Sequence, residues 1–113
     1  MIYQQGDIVE VNFLFPDGTT KPHPAIIVSN DTLQEDEFGL VYLVLISSKG
    51  NINPQYSYPL RDDMLISHSF SKPSFVKCQI IAGYTNRDIV SKLGHIRQKY
   101  LDEIVDRIIQ SIF

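Results

Sequence analysis

The stretch LVYLVLIS, residues 40–47, is an unbroken apolar run of leucine, valine, isoleucine and tyrosine that ends in a serine. A run of this kind is typical of a β-strand that is buried on both faces. The segment PAIIVSN, residues 24–30, has the same character and precedes it in the chain. Together the two segments predict that the hydrophobic core is built around a β-sheet.

Further strands are expected outside this pair, at DIVEVNF (7–13), YSYPL (56–60), MLIS (64–67) and SFVKCQIIAGY (74–84). Pro16, Asp17 and Gly18 follow the first of these and predict a turn, because proline pre-sets φ and glycine accepts a positive φ. The last strand is long enough to bend, and we expect the bend near Ala82 and Gly83.

Only the C-terminal segment RQKYLDEIVDRIIQSIF, residues 97–113, has clear helical periodicity. Its apolar side chains recur at spacings of three and four residues and form one stripe, made of Leu101, Ile104, Val105, Ile108, Ile109 and Ile112. Such a helix must cover an apolar surface, most simply the open side of a small barrel. The expected fold is therefore mainly β, a small and strongly bent sheet closed by a C-terminal helix.

Length and composition predict a single domain over residues 1–113, of ordinary globular character with 43% hydrophobic residues. The one cysteine, Cys78, excludes an internal disulfide and fits a reducing compartment. No apolar run approaches the roughly 20 residues of a membrane span. The N-terminus lacks the basic and apolar segments of a secretory signal. We therefore expect a cytoplasmic protein with no membrane partner.

The formal net charge of −3 argues against a protein that coats nucleic acid through bulk electrostatics. The charge is segregated, however, since acidic residues cluster in NDTLQEDEF (30–38) and lysines recur at Lys21, Lys49 and Lys77. A local positive groove is compatible with this pattern. The alternative is that these lysines form a scattered, solvated surface.

The order of the segments resembles the PemK/MazF family, the toxins of bacterial type II toxin–antitoxin systems. The resemblance runs nearly end to end, through GDIVEVNF (6–13), HPAIIVSND (23–31), a strand ending in ISS (46–48), KCQI (77–80) and KLGHIRQKYLDEIVDRII (92–109). It implies a small SH3-like barrel of the MazF/CcdB type, usually a homodimer. It also implies sequence-selective, cofactor-free endoribonuclease activity on single-stranded RNA, and a cognate antitoxin that binds over the active groove.

The chain departs from the family pattern at positions that bear on chemistry. His23 stands where active members usually carry an arginine, Ser47 where they carry a threonine, and Cys78 where an acidic residue often precedes the glutamine. Histidine can move a proton near neutral pH, whereas arginine supplies a permanent charge. We therefore predict His23 as general acid or base and Ser47 as a hydroxyl donor to the scissile phosphate.

The resemblance and the lysine pattern assign RNA binding to Lys21, Ser48, Lys49 and Lys77. Unpaired bases could stack on aromatic side chains, with Phe13, Phe15, Tyr56 and Tyr58 as candidates, although most aromatic residues of a small barrel are core. His23 has a structural alternative of equal weight. Its ring could pack over one of the flanking prolines or cap a neighbouring carbonyl.

The remaining candidates have weaker functional signals. His68 is expected in a surface loop, His95 in a turn before the last helix, and Cys78 as a half-buried apolar residue. The three histidines show no metal-ligand spacing, so we predict no metal site. No phosphate-binding glycine motif is present.

Three functions remain open at this stage. The first is an active endoribonuclease toxin. The second is a catalytically inactive protein on the same scaffold that engages an antitoxin, nucleic acid or DNA gyrase, as CcdB toxins engage gyrase. The third is an unrelated adaptor barrel.

Overall fold

The computed structural model describes residues 3–15, 17–49 and 53–113. Within these residues the chain forms two α-helices, α1 (Asp31–Asp36) and α2 (Gln98–Ile112), and 3₁₀ turns at Asp62–Met64 and Asn86–Asp88. The strands are β1 (Asp7–Leu14), β2 (Thr20–Ile27), β3 (Leu40–Ser47), β4 (Ser57–Leu60), β5 (Leu65–Ile66), β6 (Ser74–Thr85) and β7 (Ile89–Ile96).

The strands form one antiparallel sheet in the order β4-β6-β3-β2-β1-β7-β5. The two edge strands follow each other in sequence, and only residues 61–64 separate them. Because so short a segment has limited reach, the sheet must curl until its edges approach each other. The fold prediction is confirmed as mainly β with a C-terminal helix, but β4 and β5 are not paired in the described part of the chain, so the barrel is open rather than closed.

Strand β3 is buried on both faces, as its apolar run predicts. Val44 and Ile46 face the core cluster beneath α2, which we call the helix-side core. Val41 and Leu43 face a second cluster on the other side of the sheet. The alternation follows from the two-residue side-chain period of a strand. Helix α2 covers the helix-side core with Leu101, Ile104 and Ile108.

The apolar stripe predicted for the C-terminal helix faces the core over its first turns, but its last side chains are exposed to solvent. Val105 is half-buried and packs against the helix-side core, whereas Ile109 and Ile112 are 51% and 39% exposed. Tyr58, a stacking candidate from sequence, is also core. Its hydroxyl donates to Glu103 Oε1 at 2.7 Å, and desolvation and this carboxylate raise the pKa of the phenol.

Several element boundaries differ from the sequence prediction. The segment predicted as a strand over 24–30 starts earlier and leaves the sheet after Ile27, because Asn30 caps α1 by accepting a hydrogen bond from the Leu33 amide. Helix α1 and strand β7 were not predicted. His95 therefore lies in a strand rather than a turn, and its Nδ1 is 2.9 Å from the buried carboxylate of Asp7. The predicted strand 64–67 is reduced to Leu65–Ile66.

The bend in β6 lies earlier than predicted. The register between β3 and β6 shifts between the pairs Val44↔Ile81 and Ile46↔Val76, so residues 77–80 lie opposite Leu45 alone, and the irregularity is there rather than near Ala82 and Gly83. In the first turn, Gly18 has φ +87°, as expected for glycine there, and its amide donates to the Phe15 carbonyl at 2.9 Å. Pro16 lies outside the described residues.

Candidate functional site

The site begins where the ladder between β2 and β3 stops. The last pair is Ala25↔Leu45, and continuing that register by two residues would place His23 opposite Ser47. Beyond Ala25, β2 pairs with β1 alone, while the end of β3 pairs with β6. The two strands therefore diverge and leave a cleft between His23 and Ser47.

Two prolines explain why the ladder stops. The Gly6 amide donates to the Ile27 carbonyl and the Val28 amide donates to the Tyr42 carbonyl, so odd residues of this segment bond toward β1 and even residues toward β3. Pro22 and Pro24 are even and carry no N–H. The missing N–H groups are therefore the ones that would donate hydrogen bonds to carbonyl oxygens of β3. Proline is tolerated at such positions only where the edge of the strand is unpaired.

His23 fills part of this cleft. Its Nδ1 is 3.1 Å from the Pro24 carbonyl oxygen, and its ring lies 6.3 Å and 6.2 Å, centroid to centroid, from the rings of Phe13 and Phe15. The His23 ring gives the Pro24 carbonyl a hydrogen-bond partner that β3 does not provide. This is the carbonyl-capping role that was considered for His23 from the sequence. In the neutral ring the contact also places the proton on Nδ1 and leaves a lone pair on Nε2, the form needed for a general base.

Ser47 is held by the turn that follows β3. Its Oγ accepts a hydrogen bond from the Lys49 amide at 3.1 Å and lies 3.2 Å from the Lys49 carbonyl oxygen. These contacts fix the hydroxyl and the path of Ser48 and Lys49. A phosphate that bonds to Ser47 has to compete with this turn for the hydroxyl proton.

Two cavities adjoin at this point and share Phe15, His23 and Ser47. The first, of about 710 Å³, is mainly apolar and is lined by Phe13, Leu14, Phe15, Gly18, Leu45 and Ile80 together with His23, Ser47 and Lys77. Lys77 and Ile80 reach it from the irregular part of β6. Phe13 and Phe15 meet edge to face at 5.0 Å, which gives the cavity an aromatic wall.

The second cavity, of about 490 Å³, is cationic. Lys21, Lys49 and Lys72 line it with serines 47, 48, 71 and 74, and no acidic residue is among the described residues that line it. Lys21 Nζ is 5.4 Å from the Phe15 ring centroid, within cation–π range. Such a surface fits an anion with several oxygens, such as a phosphodiester.

All six site residues predicted from sequence line one of these two cavities, namely Lys21, His23, Ser47, Ser48, Lys49 and Lys77. Lys72, Phe70 and Ser71 were missed. The available signal was the pair Lys72-Pro73, which repeats the pair Lys21-Pro22. Tyr56 is not among the lining residues of either cavity.

The remaining candidates, Cys78 and His68, line neither of the two cavities. Cys78 is fully buried in the helix-side core rather than half-buried, and burial raises the pKa of its thiol to about 11, which opposes a nucleophilic role. A carboxylate at this position would not face the cavities. His68, predicted on the surface, is half-buried, and its ring meets Phe70 edge to face at 4.6 Å.

Within residues 3–15, 17–49 and 53–113, no three histidine, cysteine, aspartate or glutamate side chains are grouped so that they could hold a metal ion. Among the helices of the described residues, none has the length and apolar character that crossing a membrane requires.

Comparison with known proteins identifies the family. The model of the PemK-like, MazF-like toxins of type II toxin–antitoxin systems matches residues 4–112. The chain belongs to this family. Membership confirms the resemblance seen in the sequence and excludes an unrelated adaptor barrel. No curated protein sequence matches the chain.

Solved MazF structures share the fold at low sequence identity. A chain of the MazE–MazF crystal structure (form III) from Deinococcus radiodurans is 16% identical, with a TM-score of 0.74 over 96% of this chain and 94% of that chain. MazF (form I) from the same organism is 15% identical, with a TM-score of 0.73 and the same coverage. The Mycobacterium tuberculosis toxin MazF-mt6 is 15% identical, with a TM-score of 0.70 over 93% and 94%.

Proposed function

We propose that this PemK/MazF-family protein is a metal-independent endoribonuclease that cleaves single-stranded RNA sequence-selectively. The observation that carries the proposal is the position of His23 and Ser47 between an apolar, aromatic cavity and a lysine-lined cavity. An RNA strand presents bases and phosphates side by side, and the two cavities offer a matching pair of environments. The scissile phosphate would lie at the boundary.

The chemistry requires a base, an acid and positive charge. The Nε2 lone pair of His23 takes the proton of the 2′-hydroxyl, whose oxygen attacks the phosphorus. The bond to the 5′-oxygen breaks, and that oxygen takes a proton from water or from a lysine ammonium. The products carry a 2′,3′-cyclic phosphate and a 5′-hydroxyl. Lys21 and Lys49 stabilise the charge of the phosphorane, and Ser47 donates a hydrogen bond to it.

The assignment of proton transfer and charge stabilisation to residues of the cleft differs from the one that an arginine at position 23 would give. An arginine there would supply charge, and the proton transfer would fall to another group. In this chain the histidine can transfer the proton, and permanent charge comes from the lysines of the second cavity.

The test is cleavage of a long single-stranded RNA in the presence of EDTA, with chemical analysis of the product ends. Wild type should give cyclic-phosphate ends, and His23→Ala should lose roughly 10²- to 10⁴-fold in rate, the usual contribution of a general base. Lys49→Ala, which removes a charge from the lysine-lined cavity, should also slow cleavage, whereas its control Lys99→Ala should not, because Lys99 is exposed on α2 and lines neither cavity. Cleavage unchanged in folded His23→Ala would assign His23 to its structural role.

The same cleft suits inhibition by a cognate antitoxin. Solved structures similar to this chain include MazE–MazF from Deinococcus radiodurans and an endoribonuclease in complex with its cognate antitoxin from a mycobacterial species. An antitoxin tail with acidic and apolar side chains would occupy the lysine-lined and aromatic cavities and exclude RNA. Calorimetry with the C-terminal peptide of the adjacent gene's product tests this, and absence of binding would refute it. A homodimer and a cytoplasmic location complete the proposal, and sedimentation at micromolar concentration tests the dimer.

One observation favours a second candidate, an inactive binding protein on this scaffold. His23 Nδ1 and Ser47 Oγ both make hydrogen bonds within the protein, and the charge of an arginine is missing. Folded, antitoxin-free wild type that binds RNA or the antitoxin peptide without cutting RNA would support this candidate. A DNA-supercoiling assay would then test whether gyrase is the target.

A further inference from the structure

A third cavity continues the cleft beyond the lysine-lined cavity. It measures about 420 Å³ and lies against the segment between β4 and β5 and the loop before β6. It shares Phe70, Ser71 and Lys72 with the second cavity, so the two adjoin as the first and second do. The three cavities are therefore adjacent in series, and His23 and Ser47 lie at the boundary between the first two.

The lining of the third cavity combines an apolar surface with one carboxylate. Leu60, Leu65, Phe70 and Pro73 give the apolar part, and Arg61, Asp62 and Lys72 give the charges. The ion pair of Arg61 is made with Asp63, at 3.2 Å, so Asp62 is not the partner of this guanidinium. Asp62 is the one carboxylate among the described residues that line the third cavity.

We propose that the third cavity binds a guanine base of the same RNA strand and that Asp62 recognises it. The inference rests on the proposed function, because the base must belong to a strand that passes His23. An ionised carboxylate only accepts hydrogen bonds, and its two oxygens match the N1–H and N2–H donors on the Watson–Crick edge of guanine. Adenine and cytosine offer a single exocyclic amino group on that edge, and uracil a single N–H.

Lys72 has a different role in this arrangement. It lines both the second and the third cavity, and in the proposed complex its ammonium binds the phosphate that links the two nucleotides. Phosphate contacts fix the register of a strand and carry no sequence information. Asp62 therefore sets which base is accepted, and Lys72 sets how tightly any sequence is held. Variants of Asp62 and of Lys72 should therefore separate the effect on base selectivity from the effect on overall RNA affinity.

The experiment is cleavage of a single-stranded RNA pool with a randomised segment, in EDTA, followed by sequencing of the cut sites. Wild type should prefer guanine at one fixed position flanking the cut. In Asp62→Asn and Asp62→Ala the ratio of cleavage efficiencies for guanine over other bases should fall roughly 5- to 100-fold, the range for loss of a bidentate base contact. Asp36→Asn on α1 loses the same charge outside all three cavities and is the control.

Lys72→Ala should instead weaken all sequences about equally and lower the salt dependence of RNA binding by about 0.7 in the logarithmic slope. A wild type that cleaves RNA with no guanine preference, or with a preference that the Asp62 variants keep, would overturn the inference and leave the proposed function standing. If wild type does not cleave, the same pool is used for binding selection. Guanine selection that depends on Asp62 would then support the cavity assignment alone, and absence of RNA binding would overturn both.

Discussion

The two halves of β2 behave differently although they belong to one strand. Ala25, Ile26 and Ile27 all pair with β3, Ala25 and Ile26 also pair with β1 on the other side, and all three are essentially inaccessible to solvent. Residues Thr20–Pro24 pair with β1 alone and are exposed or half-buried. The first half stabilises the fold, and the second half forms one wall of the cleft.

The difference comes from which backbone donors are missing. Pro22 and Pro24 lack the N–H groups that would face β3, while the side chains between and beside them, His23 and Lys21, remain free to enter the cleft. The cleft therefore exists because the N-terminal half of β2 does not pair with β3, although β2 is otherwise held in the sheet. A rigid strand with one unpaired edge is a suitable place for groups whose positions matter.

Truncation in the paired half should have the largest effect on stability. Ile26 is fully buried in the helix-side core, so Ile26→Ala leaves a cavity and should lower the free energy of unfolding by about 2–5 kcal/mol. His23→Ala in the open half should change it far less. Urea denaturation of the two variants measures the contrast. Equal losses would mean that the open half also stabilises the fold.

Alkaline pH should weaken the same core through Cys78. Burial raises the pKa of this thiol from its ordinary 9.0 to about 11, so the folded state favours the protonated form. Its stabilising effect is complete below pH 9 and is lost as the pH rises from 9 to 11. This amounts to roughly 2–3 kcal/mol at about 1.4 kcal/mol per pH unit.

Urea denaturation at several pH values between 8 and 11 provides the measurement. In Cys78→Ala the decline over this range should be smaller than in wild type, whatever the cost of the smaller side chain at pH 8. Parallel declines in the two proteins would assign the alkaline loss to other groups, of which Tyr58 is the first candidate because its pKa is also raised.

Restoring a backbone N–H in the open half of β2 should have the smallest effect on the free energy of unfolding, but it should change the width of the cleft. Pro24→Ala supplies an N–H that faces β3, and we expect the free energy of unfolding to change by less than about 1 kcal/mol. If the ladder extends, the cleft narrows, and RNA cleavage should fall roughly tenfold through misplacement of His23. Hydrogen exchange of the new amide reports whether it is bonded. A protected amide with unchanged cleavage would contradict this account of the cleft.

Local sequence signals predicted the parts of the fold that depend on periodicity. The predictions made from the apolar run 40–47 and from the first turns of the C-terminal helix are confirmed, because burial requires apolar side chains at fixed spacings. Helix α1 was missed because its six residues are mostly polar and its only strong signal is the Asn30 cap. Strand β7 was missed because Gly94 and His95 look like a turn, whereas His95 is held in the strand by the buried Asp7.

The sequence by itself determined the family, the β class of the fold, the covering helix and the residue types of the cleft, since each of these depends on side-chain chemistry and spacing along the chain. Only the tertiary structure decided that the sheet stays open, that Cys78 and Tyr58 face the core, and that Lys72 and Asp62 line the cavities beyond His23. These facts depend on strand register and on where a ladder stops. Register is set by contacts between distant segments, which no local pattern records.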